Sequence, residues 1–356
     1  LNQYARKIIG RKRTIVALIV SVVILVILAF KTNVRVEQIG IELEHVDWAI
    51  LAAAVVFSAG WHIFVGADKW YRILRALGAP VSYGEVLRVR LGSDPIRFAS
   101  PLKVGEIVNA AYFARIRTFG FSRAAGSIAF DKVLNLFGTL VWLYVGFVAL
   151  MQMPPMRQLA MHVAVGVAAI IVIAARPVRE LFMRIGEAIH PKIGRLTRGL
   201  LSGFEEFSPA RKVGFLLYGT VFQLRPLILC YLIFLAFSPS QMPSMAEVIA
   251  YASVAVLMGN APFTAAGIGA RETAIVLFFS GYGSDAMLFS VGLLMSFAIH
   301  IAPAIVGIPF MVPLLKAVTT VLPGGSEASA GEAVTEPAAS PAVVTPDAAV
   351  PGAAKE

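Results

Sequence analysis

Two apolar segments, residues 91–112 and 251–282, constrain this chain most: each is apolar enough for a bilayer, yet each is cut by proline, glycine and charge. The first carries Asp94-Pro95, Arg97, Pro101, Lys103 and Gly105-Glu106; the second carries Pro262, Gly267, Gly269 and Arg271-Glu272. Both run from a proline through small residues into a cluster of glycine, base and glutamate. Irregular backbone at membrane depth survives only where protein or a water-filled cavity satisfies its N–H and C=O groups. Broken segments at matching places in two halves of a membrane protein point to a central binding site.

The rest of the chain is built for the same environment. Hydrophobic residues make up 58% and charged residues only 15%, the balance of an integral membrane protein. Apolar runs at 14–30, 48–66, 126–150, 159–175, 213–237 and 286–315 each reach about 20 residues, alone or with their flanks, and so read as spans. The first follows a basic N-terminus as a signal peptide would. Its end, Leu28-Ala29-Phe30-Lys31, lacks a small-x-small cleavage site, so it reads as a retained helix.

A net charge of +10 would suit nucleic acid, but its distribution argues for topology instead. Basic residues cluster before the first span (Arg6, Lys7, Arg11, Lys12, Arg13), after the second (Lys69, Arg72, Arg75, Arg88, Arg90) and from Arg176 to Lys212. Segments 31–47, 151–158 and 238–247 hold few. The positive-inside rule then places those three outside and both termini in the cytoplasm of a cell inner membrane. Cys230, the single cysteine, lies inside an apolar span and forms no intrachain disulfide. The five histidines show no metal-binding spacing, and neither a metal nor a cofactor is expected.

Six crossings already return the chain to the cytoplasm, so the two broken segments should not cross. Residues 91–112 are expected to dip in from the cytoplasm and residues 251–282 from outside. The expected fold is therefore all-α and polytopic, with about six transmembrane helices and two inverted re-entrant hairpins over residues 1–316. An amphipathic cytoplasmic helix is expected at 177–207, where Val178, Leu181, Phe182, Ile185 and Ile189 fall at helical spacing. Residues 317–356, rich in Ala, Pro, Glu, Thr, Ser and Gly, read as a disordered tail.

Charges inside such segments cost a few kcal/mol each and call for a partner or a purpose. Arg225 sits midway along 213–237 and precedes Pro226, whose ring frees a carbonyl one turn back. Arginine suits bidentate phosphate recognition. Arg97, Lys103, Arg225 and Arg271 are accordingly the candidate ligands of a lipid headgroup or phosphate, with half-helix N-termini beside them. Glu106 and Glu272 would cap those half-helices, balance the cations or carry a coupling proton. Asp131, Lys132 and Asn135 open the third span; Asp131 and Asn135 share a face one turn apart, and Asp131 would pair with a hairpin cation. Asp94 reads as a turn residue, and His62, His162 and His300 as hydrogen-bonded core residues.

These residues resemble the membrane domain of the lysylphosphatidylglycerol synthase family over roughly residues 10–316. The resemblance rests on residues 70–77 with Gly78 and Val81-Ser82, on Pro101-x-Lys103-x-Gly105-Glu106 and on Ser127-Ile128-x-x-Asp131-Lys132-x-x-Asn135. Its most specific part is Pro262-x-x-x-x-Gly267-x-Gly269-x-Arg271-Glu272. Asp131-Lys132 with Asn135 stands where many members carry Glu-Arg and then Asp, and Asn109 stands where a base is expected. The family's aminoacyl-transferase domain is expected to be missing, because only the tail follows the membrane part. The resemblance thus implies lipid translocation without the synthase reaction.

The leading expectation is a flippase-like protein, not an enzyme, that moves an anionic phospholipid or a polyprenyl-phosphate lipid between leaflets; it is compatible with a homo-oligomer. No nucleotide-binding motif is present, so an ion gradient or the lipid gradient would supply the energy. The alternatives are a glycosyltransferase with a lipid-phosphate donor, using Glu42, Glu44 or Asp47 as base, and an accessory subunit of an envelope lipid-modifying enzyme tethered by the tail.

Overall fold

Runs of apolar residues interrupted at single points produce long helices that change character partway. The computed structural model describes residues 36–99, 104–116, 119–151, 207–260 and 267–320, with isolated residues between 154 and 164. Every regular element among the described residues is helical. In order they are α1 (Val36–Glu44), α2 (Trp48–Gly60), a π-helical turn π1 (Trp61–Val65), α3 (Gly66–Ala76), α4 (Tyr83–Ala99), α5 (Val104–Ile116) and α6 (Phe121–Leu150). After the undescribed stretch come α7 (Pro209–Phe222), α8 (Leu224–Phe237), α9 (Met245–Gly259), α10 (Ala270–Phe278), α11 (Asp285–Ser296), π2 (Phe297–Ile301) and α12 (Ala302–Thr320).

Polar caps set where these helices start. The Asp47 carboxylate accepts from the N–H groups of Ala49 and Ile50 at 2.9 and 3.1 Å and opens α2. Ser244 and Glu247 form a reciprocal capping box at α9. Ser208 caps α7, with Pro209 in the first turn, where a missing N–H costs nothing.

Among the described residues four helices are long and apolar enough to cross a membrane: Trp48–Ala76, Arg123–Leu150, Ala210–Phe237 and Asp285–Val318. The remaining two expected spans, 14–30 and 159–175, lie outside the described residues, as do 177–206 of the amphipathic helix and 321–356 of the tail. Helix α12 overruns the expected start of the tail at 317 because Leu314 and Val318 are buried, which carries the helix one turn further.

Two apolar cores organise the molecule. One gathers Leu51 and Ala54 of α2, Cys230, Ile233 and Phe234 of α8, Ala252 of α9, Ile275 of α10 and Leu288 and Met295 of α11. The other gathers Trp70, Ile73 and Leu74 of α3, Val86 and Val89 of α4, Phe113 of α5, Phe130 and Leu134 of α6, Phe215 of α7 and Leu314 of α12. Three of the four long helices pass from one core to the other, and each breaks on the way. The breaks are π1 between α2 and α3, Gln223 between α7 and α8, and π2 between α11 and α12. Pro226 explains the break at Gln223, since it cannot donate to the Phe222 carbonyl. The two π-turns each add a residue to a helical turn, a feature concentrated at functional sites.

The broken segments become two helix pairs, α4–α5 and α9–α10, whose members pack on each other. The first helix of each pair also packs on the long helix that follows the other pair: α4 on α12, and α9 on α6. The second helix packs on the long helix that follows its own pair, α5 on α6 and α10 on α11. Glycines make these approaches close. A Cβ on Gly92 of α4 would lie 2.5 Å from the Phe310 carbonyl oxygen and 3.0 Å from Leu314 Cβ of α12.

Helix α4 also runs unbroken through Pro95, where the sequence suggested the start of irregular backbone. Pro95 leaves the Leu91 carbonyl without its helical donor, and that oxygen faces Gly307 of α12, where a side chain would collide with it. Gly92→Val should therefore overpack the α4–α12 seam and destabilise by roughly 1–3 kcal/mol. A lowered melting temperature of the purified protein checks this; Gly84→Val, which has open space around the new Cβ, is the control.

Candidate functional site

The three helix breaks and the two helix pairs bring buried polar groups together between the apolar cores. Helix α4 contributes Arg90, Asp94 and Arg97 on one face, at i, i+4 and i+7. π1 contributes His62, the start of α8 contributes Arg225, the start of α10 contributes Arg271 and Glu272, and π2 contributes His300. Arg90, Asp94, Arg225 and Arg271 are all at most 7% exposed, and Glu272 is fully buried, so none of these charges is a solvated surface group.

Each pairing can be followed atom by atom. Arg97 Nη1 lies 3.1 Å from Asp94 Oδ1, and His62 Nε2 lies 3.3 Å from Asp94 Oδ2. Asp94 is thus a buried ion-pair centre within α4 and not the turn residue that its place before Pro95 suggested. Asn109 of α5 donates to Ser93 Oγ at 3.0 Å and ties the two helices of the first pair together. That is the work done here by the residue where a base was expected.

In the second pair, the Glu272 carboxylate accepts from Gly269 N–H at 2.6 Å and from the Ser296 hydroxyl at 2.5 Å. Arg271 Nη1 donates to the same Ser296 Oγ at 2.7 Å, and its Nη2 lies 3.2 Å from His300 Nε2. Gly267 and Gly269, at φ +79° and +93°, take backbone conformations that side chains rarely adopt, and so turn the chain into α10 just before Arg271. Gly259 at the end of α9 leaves room for the Arg271 guanidinium, whose Nη2 would lie 2.6 Å from a Cβ there. The specific glycine–arginine–glutamate motif thus has a physical reading: two glycines aim an arginine, and the glutamate caps its helix.

Arg225 stands apart. Among the described residues neither it nor Arg90 has a carboxylate at ion-pair distance, and Arg225 Nε and Nη1 have no hydrogen-bond partner. The Phe222 ring, 5.7 Å from the guanidinium carbon, is its one described contact of this kind. Arg90, Arg271 and Asp94 are the charges it feels, two of them repulsive. Gly66 accommodates Arg90 much as Gly259 accommodates Arg271, with Nη2 at 2.7 Å from where a Cβ would be.

A second polar cluster lies toward the other core. Lys69, fully buried on α3, pairs with Asp131 Oδ1 at 2.9 Å, donates to Asn135 and sits 4.1 Å from the centre of the Phe222 ring. Lys132 pairs with Glu106 at 2.7 Å across α5 and α6. Asp131 does pair with a cation as expected, but the cation comes from α3 and not from a helix pair.

Of the sequence candidates, then, Arg97, Arg225 and Arg271 come into one electrostatic neighbourhood, and Glu272 joins them through Ser296. Asp131, Lys132, Asn135 and Glu106 form the neighbouring cluster, and Lys103 lies outside the described residues. Lys69 and Arg90 are additions to the sequence candidates, and His62 and His300, expected as hydrogen-bonded core residues, are hydrogen-bonded as expected but to groups of the charged cluster. Lys69 and Arg90 had been read as cytoplasmic flanking charges, but α3 continues past the apolar run and buries the first, and α4 buries the second. The spacing of Arg90 with Asp94 and Arg97 was the available signal.

An open groove of about 810 Å³ lies between α3 and α7, and its lining includes Arg72, Arg75 and Arg211 together with Leu217 and Val221. Arg72 is held there by Asp68 at 2.7 Å, and Tyr218 donates to the same carboxylate at 2.7 Å.

Comparison with known families gives one match. The model of the family described as lysylphosphatidylglycerol synthase TM region covers residues 14–308. That stretch takes in both helix pairs and every group of the two clusters. No curated protein matches the chain significantly.

Proposed function

The chain belongs to the lysylphosphatidylglycerol synthase transmembrane-region family, and from that membership and the site geometry we propose that it moves an anionic lipid between membrane leaflets. The substrate in this reading is an anionic phospholipid or a polyprenyl-phosphate lipid, and the membrane is the cell inner membrane. The observation that carries the proposal is Arg225: a buried guanidinium with unpaired N–H groups at a helix break calls for an anion, and a lipid phosphate supplies one. The acyl chains would stay in the bilayer while the phosphate enters between the helix pairs.

The helix pairs act in this reading as re-entrant hairpins that enter from opposite faces. Their helices have 17, 13, 15 and 9 residues, short of the roughly 20 that a full crossing needs. The exchanged packing, with each pair resting on the long helix of the other half, is what an inverted repeat would produce and suits alternating access. The groove between α3 and α7, with arginines and apolar side chains in its lining, suits a headgroup at the membrane surface. Two of the three acids offered to a transferase have structural work: Asp47 caps α2, and Glu42 accepts from the Ser284 hydroxyl.

Reconstitution tests the proposal. Proteoliposomes holding the protein should move a headgroup-labelled anionic phospholipid to the leaflet where a membrane-impermeant quencher reaches it. Arg271→Ala should abolish the movement while keeping a monodisperse, folded protein. Equal rates in protein-free and protein-containing vesicles would end the transport reading. Topology is checked separately in a Cys230→Ala background. Cysteines at Gly40 and Gln241 should label from outside, and cysteines at Arg88 and Arg123 should not. Labelling of Arg123 from outside would mean that the first pair crosses the membrane.

A further inference from the structure

We propose that the central site is matched to a dianionic terminal phosphate, a phosphate monoester, and not to the singly charged phosphodiester of ordinary phospholipids. The inference rests on the transport reading above and names the chemistry of its substrate.

Charge balance leads to it. The central cluster holds four guanidinium groups, Arg90, Arg97, Arg225 and Arg271, against two carboxylates, Asp94 and Glu272. Arg97 is matched by Asp94, and Arg271 reaches Glu272 through Ser296. Arg90 and Arg225 have no carboxylate at ion-pair distance among the described residues. The neighbouring cluster leaves the total unchanged: Asp131 and Glu106 attract Arg90 from farther away, but that cluster sets Lys69 and Lys132 against those same two carboxylates.

The segments between the paired helices cannot supply one either. Residues 100–103 and 261–266 contain no acid. The histidines leave the balance unchanged. A guanidinium only donates, so His300 Nε2 facing Arg271 must be the acceptor of a neutral ring. His62 needs one N–H for Asp94, and its buried Nδ1 has no partner that a second proton could use. Among the described residues the buried excess is thus two positive charges.

Hydrogen-bond capacity points the same way. Arg90 Nε, Arg97 Nε, Arg225 Nε and Nη1, and Arg271 Nε all lack a hydrogen-bond partner among the described residues. A terminal phosphate brings a charge near −2 at neutral pH and three strong acceptor oxygens. A phosphodiester brings one charge and two free oxygens, leaving a buried cation uncompensated and more of these donors unmade, which is costly.

The test uses the full-length protein in zwitterionic nanodiscs at pH 8, where the second phosphate proton is lost. Dioleoyl phosphatidic acid, dioleoyl phosphatidylglycerol and inorganic phosphate are titrated separately, and the thermal stabilisation midpoint is read. Phosphatidic acid should act at a concentration at least tenfold lower than phosphatidylglycerol. Arg90→Met, which lowers the excess to one charge, should bring the two lipids close together. Exposed Arg88→Gln should leave the ratio as in the wild type. Equal potency of the two lipids on the wild-type protein overturns the monoester inference and leaves anionic-lipid transport standing. No response to either lipid overturns both. Inorganic phosphate acting alone, with phosphatidic acid inert, would keep the dianion site and assign it to a soluble ligand, against lipid transport.

Discussion

Lys69→Met is expected to destabilise the protein by about 3–5 kcal/mol, the largest stability loss of any single change considered for this chain. Lys69 is fully buried, and its ammonium group is held by Asp131, by Asn135 and by the face of Phe222. Methionine keeps much of the side-chain volume and loses the charge. What remains is the Asp131 carboxylate, itself buried, whose remaining described hydrogen bond is from Asn135 at 3.3 Å. The penalty comes chiefly from that stranded anion. Adding Asp131→Asn to Lys69→Met should therefore recover most of the lost stability, which separates a charge-pair effect from lost packing. Chemical unfolding of the purified single and double variants measures both terms. A double variant as unstable as Lys69→Met would assign the loss to packing. A stable double variant that has lost lipid movement would instead make the Lys69–Asp131 pair part of the transport cycle.

How far this architecture could be read from the chain depends on what kind of signal each element carries. Spans follow from length and apolarity, because a bilayer demands about 20 apolar residues whatever the neighbours do. The segments read as irregular did become helix pairs, because glycine and proline act locally: Gly267 and Gly269 require positive φ, and no other residue supplies it cheaply. Pro95 misled for a tertiary reason. Its helix tolerates the lost hydrogen bond because Gly307 lets α12 approach the freed Leu91 carbonyl, and that partner lies far along the chain.

The polar clusters were half legible. Arg225 and Arg271 declared themselves by sitting in apolar surroundings. Lys69 and Arg90 were hidden among the basic residues that set topology, and only the helix geometry shows that they point inward. His62 and His300 were legible as hydrogen-bonded core residues but not as members of the charged cluster, since π-turns leave no clear mark in sequence and both histidines owe their positions to them.

Arg225→Met is expected to weaken anionic-lipid binding roughly 10- to 100-fold while leaving the melting temperature unchanged or higher. The binding loss follows from hydrogen bonds to a charged group, which contribute about 1.5–3 kcal/mol each. The stability gain follows from the ligand-free site, where Arg225 is 6% exposed, has no carboxylate at ion-pair distance and lies within range of two other guanidinium groups. Removing a buried cation with no carboxylate at ion-pair distance among the described residues relieves repulsion and desolvation together. A structural role predicts the reverse: the variant would melt early and, while folded, would bind lipid normally. Arg225→Lys refines the test, because it keeps the charge and loses the planar fork that engages two phosphate oxygens at once. Its affinity should fall between those of the wild type and the methionine variant. Wild-type affinity in Arg225→Lys would leave the arginine with a charge-only role. Wild-type affinity in Arg225→Met would remove it from the lipid site altogether, and with it the observation on which the transport reading chiefly stands.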